Sequence, residues 1–128
     1  MITILAGGSG SSKLIRGMTE ATDDKLNIIS NIGDNIWLFG LYICPDIDTI
    51  TYTLSNNIDT SKGWGINNDS FRFLDEYKKY DSDVWFNIGD RDLATHVFRT
   101  NLKNRGMKLS ETVSYTHLRA HETLRYLV

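Results

Sequence analysis

Apolar residues fall in short runs divided by glycine-, aspartate- and asparagine-rich turns, and the period of the runs alternates between strand and helix. Met1 to Ala6 is mostly apolar and stops abruptly at Gly7-Gly-Ser-Gly-Ser-Ser12, which predicts a buried first strand feeding a glycine loop. Leu14, Ile15 and Met18 then recur at helical spacing, so a helix is expected from Ser11 or Ser12, either of which could cap it. Lys25 to Ser30 predicts a second strand running into Asn31-Ile-Gly-Asp-Asn35. Asp46 or Asp48 can cap a helix carrying Ile47, Ile50 and Leu54. Residues 56–69 are polar and turn-rich, with Gly63-Trp-Gly65 inside them. Phe71, Leu74 and Tyr77 share one face of a helix expected from Asn68 or Asp69. Val84 to Ile88 predicts another buried strand, and Asp90-Arg-Asp92 opens a helix carrying Leu93, Val97 and Asn101.

Strands alternating with helices imply an α/β fold: a Rossmann-like open, mostly parallel sheet with flanking helices. Ligands of such sheets bind beyond the carboxyl ends of the strands, so the loops after Leu5, Ser30 and Ile88 draw the functional reading. The tetrapeptide Asn-Ile-Gly-Asp occurs twice there, at 31–34 and 87–90, and reads as similar strand-end turn chemistry.

At 128 residues, the chain amounts to one domain at most. Its 14 Lys+Arg against 16 Asp+Glu give a net charge of -2, which argues against nucleic acid as a partner. No run approaches the roughly 18 apolar residues of a membrane span, and the first five residues lack the basic region of a signal peptide. A single cysteine, Cys44, rules out an internal disulfide and fits a reducing cytoplasm.

The glycine loop is neither a Walker A loop nor a dinucleotide fingerprint, because Ser12 and Leu14 flank Lys13 and no third glycine stands at its place. Its small residues still allow backbone N–H groups to approach an anion at a helix start, with Lys13 adding charge. The plain alternative is a tight strand-to-helix turn. Asp34, Asp46, Asp48, Asp90 and Asp92 all fall in or beside loops at one sheet edge. Magnesium takes one or two carboxylates plus water and phosphate oxygens, so the pattern suggests a metal-bridged phosphate ester or diphosphate. Four of these aspartates could instead cap helices; Asp34 is the hardest to explain so. Arg91 could bind a phosphate or ring carbonyl, or pair with its neighbours. His96 reads as a polar packing residue, with proton transfer as the sharper alternative. Trp37, Trp64 and Trp85 are expected in the core, one of them free to stack on a ring. Cys44 has no partner base in sight and is a poor nucleophile candidate.

Taken in order, Gly7-Gly-Ser-Gly10 with Lys13-Leu14, Asn31-Ile-Gly-Asp34, Ile36-Trp37, Gly40-Leu41, Cys44-Pro-Asp-Ile-Asp-Thr49, Tyr52-Thr-Leu54, Gly63-Trp-Gly65 and Trp85 to His96 closely resemble the 2-phospho-L-lactate transferase family of coenzyme F-420 biosynthesis, which includes phosphoenolpyruvyl-using relatives. The resemblance covers Met1 to about Glu111. It implies that this chain is the N-terminal part of a longer, homodimeric cytoplasmic enzyme. It implies a guanylylated phospho-acid donor, a 7,8-didemethyl-8-hydroxy-5-deazariboflavin acceptor, release of GMP, and a requirement for magnesium. It matches Asp34 and Asp46 to the metal positions, with Asp48 a third candidate and all three as catalytic residues. It matches Asp48 and Arg91 to positions near the deazaflavin. Gly7, Gly8, Ser9, Gly10 and Lys13 are expected at the diphosphate; Ser12 departs from a common proline in that loop. The alternative is a non-enzymatic nucleotide-sugar-binding regulator of the same superfamily, whose pattern lacks the Gly89 to His96 run. Residues 1–112 are thus expected as part of the transferase domain. Residues 113–128, which contain His117 and His121, resemble translated adapter sequence and are expected to be a non-native tail without function.

Overall fold

The computed structural model describes residues 1–118; the expected tail lies outside the described residues from position 119 onward. The elements are β1 (Ile2–Ala6), α1 (Ser9–Ala21), β2 (Leu26–Ser30), β3 (Ile36–Leu38), β4 (Leu41–Ile43), α2 (Pro45–Leu54), α3 (Arg72–Tyr77), α4 (Asp90–Asn104) and α5 (Leu109–Leu118). β1 and β2 pair in parallel, with Leu5 opposite Ile29 and Ala6 opposite Ser30. This is the mixed α/β arrangement expected, with a parallel pair and flanking helices, compatible with part of a Rossmann-like domain. Among the described residues no helix is long and apolar enough to cross a membrane.

Helices α1 and α2 cover one face of the β1–β2 pair. Ile4, Ala6 and Ile28 meet Ile15 of α1 and Ile50 of α2 there. Ser12 and Thr53 join the two helices by a buried hydroxyl hydrogen bond of 2.8 Å. The opposite sheet face is open: Leu5 is 79% exposed, and Ile29 beside it is also exposed. The expectation of a wholly buried first strand is therefore corrected to alternation, because helices cover only one side of the pair.

The residues 36–43 form an antiparallel hairpin that the apolar pattern leaves unread. Phe39 and Gly40 both take positive φ (54° and 68°), as a two-residue hairpin turn requires. A phenylalanine is uncommon there. Its ring is held edge-on against Tyr77 at 4.8 Å and Phe73 at 6.0 Å, which pins the hairpin to α3.

Several boundaries shift. Helix α1 starts at Ser9 behind Gly8, not at Ser11 or Ser12. Helix α2 starts at Pro45, whose fixed φ suits a first helical position, so Asp46 and Asp48 lie inside the first turn and cap nothing. Helix α3 starts at Arg72. Residues 84–88 are not a strand: they lack a ladder partner among the described residues, and Trp85 is 70% exposed. Val113, the first residue of the expected tail, is buried against Cys44 and Ile47.

Candidate functional site

Residues at the carboxyl ends of β1 and β2 converge on one spot. The Asn31 N–H continues the ladder onto Ala6 O at 2.8 Å, which fixes the turn that carries Asp34. Asn31 Nδ2 then donates to Asp34 Oδ2 at 3.1 Å and to Asp46 Oδ2 at 2.8 Å. Asp34 is exposed and Asp46 buried, so the pair joins solvent to the first turn of α2. The glycine loop closes on it from the other side: a Cβ at Gly8 would stand 3.0 Å from Asp46 Oδ1. Asp34, Asp46, Gly33 and Asn35 line one cavity with Trp85 and Phe86. A donor set of two carboxylates, open enough to retain water, fits a hard cation such as magnesium.

Gly8 caps α1 without a side-chain bond, so its first amides have no partner within the helix. Gly7 and Gly10 have open space where a Cβ would be, and Lys13 is exposed one turn on. Gly63, at φ 77°, comes close to Ser9, where a Cβ on the glycine would lie 3.3 Å from the serine Cβ. The Gly63-Trp-Gly65 turn thus forms a wall beside the glycine loop.

Asp48 goes elsewhere. Its carboxylate is gripped by the two terminal nitrogens of Arg99, Nη1 at 3.1 Å from Oδ2 and Nη2 on Oδ1. Arg99 Nη1 also donates to Tyr42 O at 3.3 Å, and Thr100 Oγ1 accepts the Tyr42 N–H at 2.9 Å, so α4 completes the backbone bonding of β4. His96 lies between two acids, Nδ1 at 3.5 Å from Asp48 Oδ2 and Nε2 at 3.2 Å from Asp92 Oδ2, the latter outside hydrogen-bond geometry. Tyr52 donates its hydroxyl to Asp92 Oδ1 at 2.6 Å. Asp48, Asp92 and His96 bring three ligand atoms within 4.8 Å of one another, but the Arg99 guanidinium already supplies the cation on Asp48.

Burial raises the Asp48 pKa against the pull of Arg99 and His96. Burial opposes the Arg99 charge, yet the adjoining Asp48 carboxylate reverses that and keeps the guanidinium firmly cationic. Burial, then Asp48 and Asp92, lifts Tyr52 well above its ordinary value, so it remains a donor. Burial pushes the Cys44 thiol up to about 11, against the nearby Arg99, in keeping with an unreactive thiol.

This network floors a second cavity of about 350 Å³, walled by Trp64, Trp85 and Phe86, that adjoins the Asp34–Asp46 cavity at Pro45, Trp85 and Phe86. The expectation that the three tryptophans pack the core is corrected: all are exposed, and two line this cavity. Arg91 does not join Asp48 there. Its guanidinium donates to Asn67 O at 2.8 Å and it lines a separate recess with Thr51, Asn57 and Thr95. The two Asn-Ile-Gly-Asp segments also part ways: Asp34 faces Asp46, whereas Asp90 accepts from Ser70 and the start of α3.

Helix α4 buries Asp92, His96, Arg99 and Thr100 and exposes Val97. The apolar pattern, Leu93 with Val97, pointed to a neighbouring face. Positions 92, 96 and 99 follow helical spacing, the one signal that could have singled out Arg99.

The profile of the family described as 2-phospho-L-lactate transferase CofD matches residues 2–121. A phosphoenolpyruvate transferase of Streptomyces griseus is 43% identical over 111 residues, covering 85% of this chain and 35% of the relative. One of Nocardia farcinica is 42% identical over 111 residues, covering 85% and 33%. One of Kitasatospora aureofaciens is 38% identical over 129 residues, covering 98% and 40%. The chain thus spans a third to two fifths of the length of these curated relatives.

Proposed function

Since this chain belongs to the 2-phospho-L-lactate transferase CofD family, we propose that its glycine loop, Asp34 and Asp46 form the donor-phosphate end of a transferase of coenzyme F-420 biosynthesis. The reaction moves a phosphoenolpyruvyl or phospholactyl group from a guanosine diphosphate-linked donor to the ribityl hydroxyl of the deazaflavin, and GMP leaves. The names of the three relatives favour the enolpyruvyl donor. The observation that carries the reading is the meeting of Asp34 and Asp46 on one Asn31 amide, beside a glycine loop whose helix start has no side-chain cap among the described residues.

Asp34 and Asp46 would hold magnesium, which supplies charge neutralisation on the diphosphate when bound. The first amides of α1 and the Lys13 ammonium bind and orient phosphate oxygens at a helix start. Asp46 is fixed from two sides, by Asn31 and by the close approach of Gly8, so it is oriented before any ligand arrives. Trp64 and Trp85 line the adjoining cavity, where a flat acceptor would stack on an indole with its hydroxyl toward the Asp34–Asp46 side. The test is to supply the family-length protein carrying this segment with deazaflavin, magnesium and each guanylylated donor. GMP release with either donor supports the reading; no release with any donor overturns it.

A further inference from the structure

The two carboxylates of the proposed cation site share one neutral partner. Asn31 Nδ2 spends both its protons on them, one toward Asp34 Oδ2 at 3.1 Å and one toward Asp46 Oδ2 at 2.8 Å. Its Oδ1 faces the other way and accepts the Gly33 N–H at 3.0 Å. The positive end of an amide dipole therefore lies where both oxygens would turn toward a cation. An amide nitrogen has no lone pair to offer a metal, so it cannot hold that position once the ion enters. The amide oxygen can, and asparagine carbonyls are ordinary ligands of hard cations.

We propose that Asn31 is a third ligand of this site, its side-chain amide turning over on cation binding so that Oδ1 replaces Nδ2 toward Asp34 and Asp46. The inference rests on the reading of that pair as a cation site. The backbone of Asn31 is tied to Ala6 O, so the side chain alone must move. It is free to do so: Asn31 is exposed, and the terminal torsion of an asparagine is broad and roughly two-fold. Gly33 keeps the path open, because a Cβ there would stand only 3.1 Å from Asn31 Oδ1. The turn also releases the Gly33 N–H, so cation binding and that amide are coupled.

The test uses the family-length protein carrying this segment, labelled with nitrogen-15 at asparagine and glycine and titrated with magnesium, together with manganese binding isotherms. The Asn31 side-chain NH₂ pair and the Gly33 amide are expected to shift together along one saturation curve. Asn31→Ala should weaken manganese binding about tenfold, on the scale of losing a residue that supports a metal site, while Asn31→Asp, which keeps an oxygen, should bind at least as well as the parent. If Asn31 merely blocks the site, Asn31→Ala will bind as tightly as the parent or tighter, and the inference is overturned while the cation site stands. If the family-length parent takes up no cation, the site itself is refuted and the inference falls with it.

Discussion

Asp69 and Asp90 cap each other's helices. Asp69 accepts the Arg91 and Asp92 amides at the start of α4, at 2.8 and 3.1 Å, and Asp90 accepts the Arg72 and Phe73 amides at the start of α3, at 3.1 and 2.9 Å. Each carboxylate satisfies donors that its partner's helix leaves free. A Cβ at Gly89 would overlap the Asp69 carboxylate, which gives the glycine before Asp90 its reason. Replacing Asp69 by Ala should lower stability by about 1 kcal/mol, the usual cost of a lost cap. Urea denaturation of the two chains measures this, and an unchanged midpoint would contradict the capping.

The same junction sets an acid limit. The Ser70 hydroxyl, then the Phe73 and Arg72 amides, hold Asp90 below the ordinary aspartate value. A depressed folded pKa contributes stability that is fully present above the unfolded value of about 3.9 and is lost as pH falls through the folded one. Stability should therefore decline below about pH 4, and Asp90→Asn should flatten that part of the profile. Thermal melts across pH 3 to 6 would show the difference.

Helix α4 is the element in which the sequence misleads. Leu93 and Val97 suggest its buried stripe, yet Val97 is exposed and the face turned inward carries Asp92, His96 and Arg99. Burial there follows from partners on α2 and β4, and a charge's partner across the fold is invisible to periodicity. The glycine loop, β1, β2 and the Asp34–Asp46 pair were legible because turn chemistry and resemblance are local signals. Asn31 as the bridge between them was not, because its contact with Asp46 spans 15 positions. Residues 84–88 failed for another reason: an apolar run becomes a strand only beside a partner.

The Arg99–Asp48 pair is a buried ion pair whose partners cannot be removed singly. Arg99→Met should cost about 3–5 kcal/mol, because Asp48 is left buried without its cation. Adding Asp48→Leu should recover much of that loss by removing the stranded charge. Equal unfolding midpoints for the single and double variants would show that no stranded Asp48 charge causes the loss.

The glycine loop gives a contrast within one segment. Gly8→Ala pushes a methyl against Asp46 Oδ1, whereas Gly7→Ala and Gly10→Ala meet open space. Magnesium binding should weaken about tenfold for the first, the scale on which disturbing a metal ligand's surroundings acts, and stay unchanged for the other two. Calorimetric titration of the three variants decides it. Equal affinities would separate Asp46 from the loop.

The 128-residue chain alone should bind a guanylylated donor weakly and transfer nothing. Leu5 and Ile29 lie side by side on an open sheet face, and the relatives extend well beyond the matched segment. An uncovered apolar face favours self-association, and transfer needs both substrates held in line. Turnover by the isolated chain matching that of a family-length protein would show that the site is complete within it.

In the proposed transferase, Asp34 and Asp46 act together through a divalent cation. The most direct measurement is GMP release by the family-length protein and its Asp34→Asn and Asp46→Asn forms, across a magnesium series at saturating deazaflavin. Each substitution keeps the side-chain shape and removes the charge. Turnover should fall roughly a hundredfold or more in both, the scale of losing a principal electrostatic stabiliser, and the deficit should narrow as magnesium rises. Full activity of both variants at limiting magnesium would show that the two carboxylates hold no cation needed for transfer.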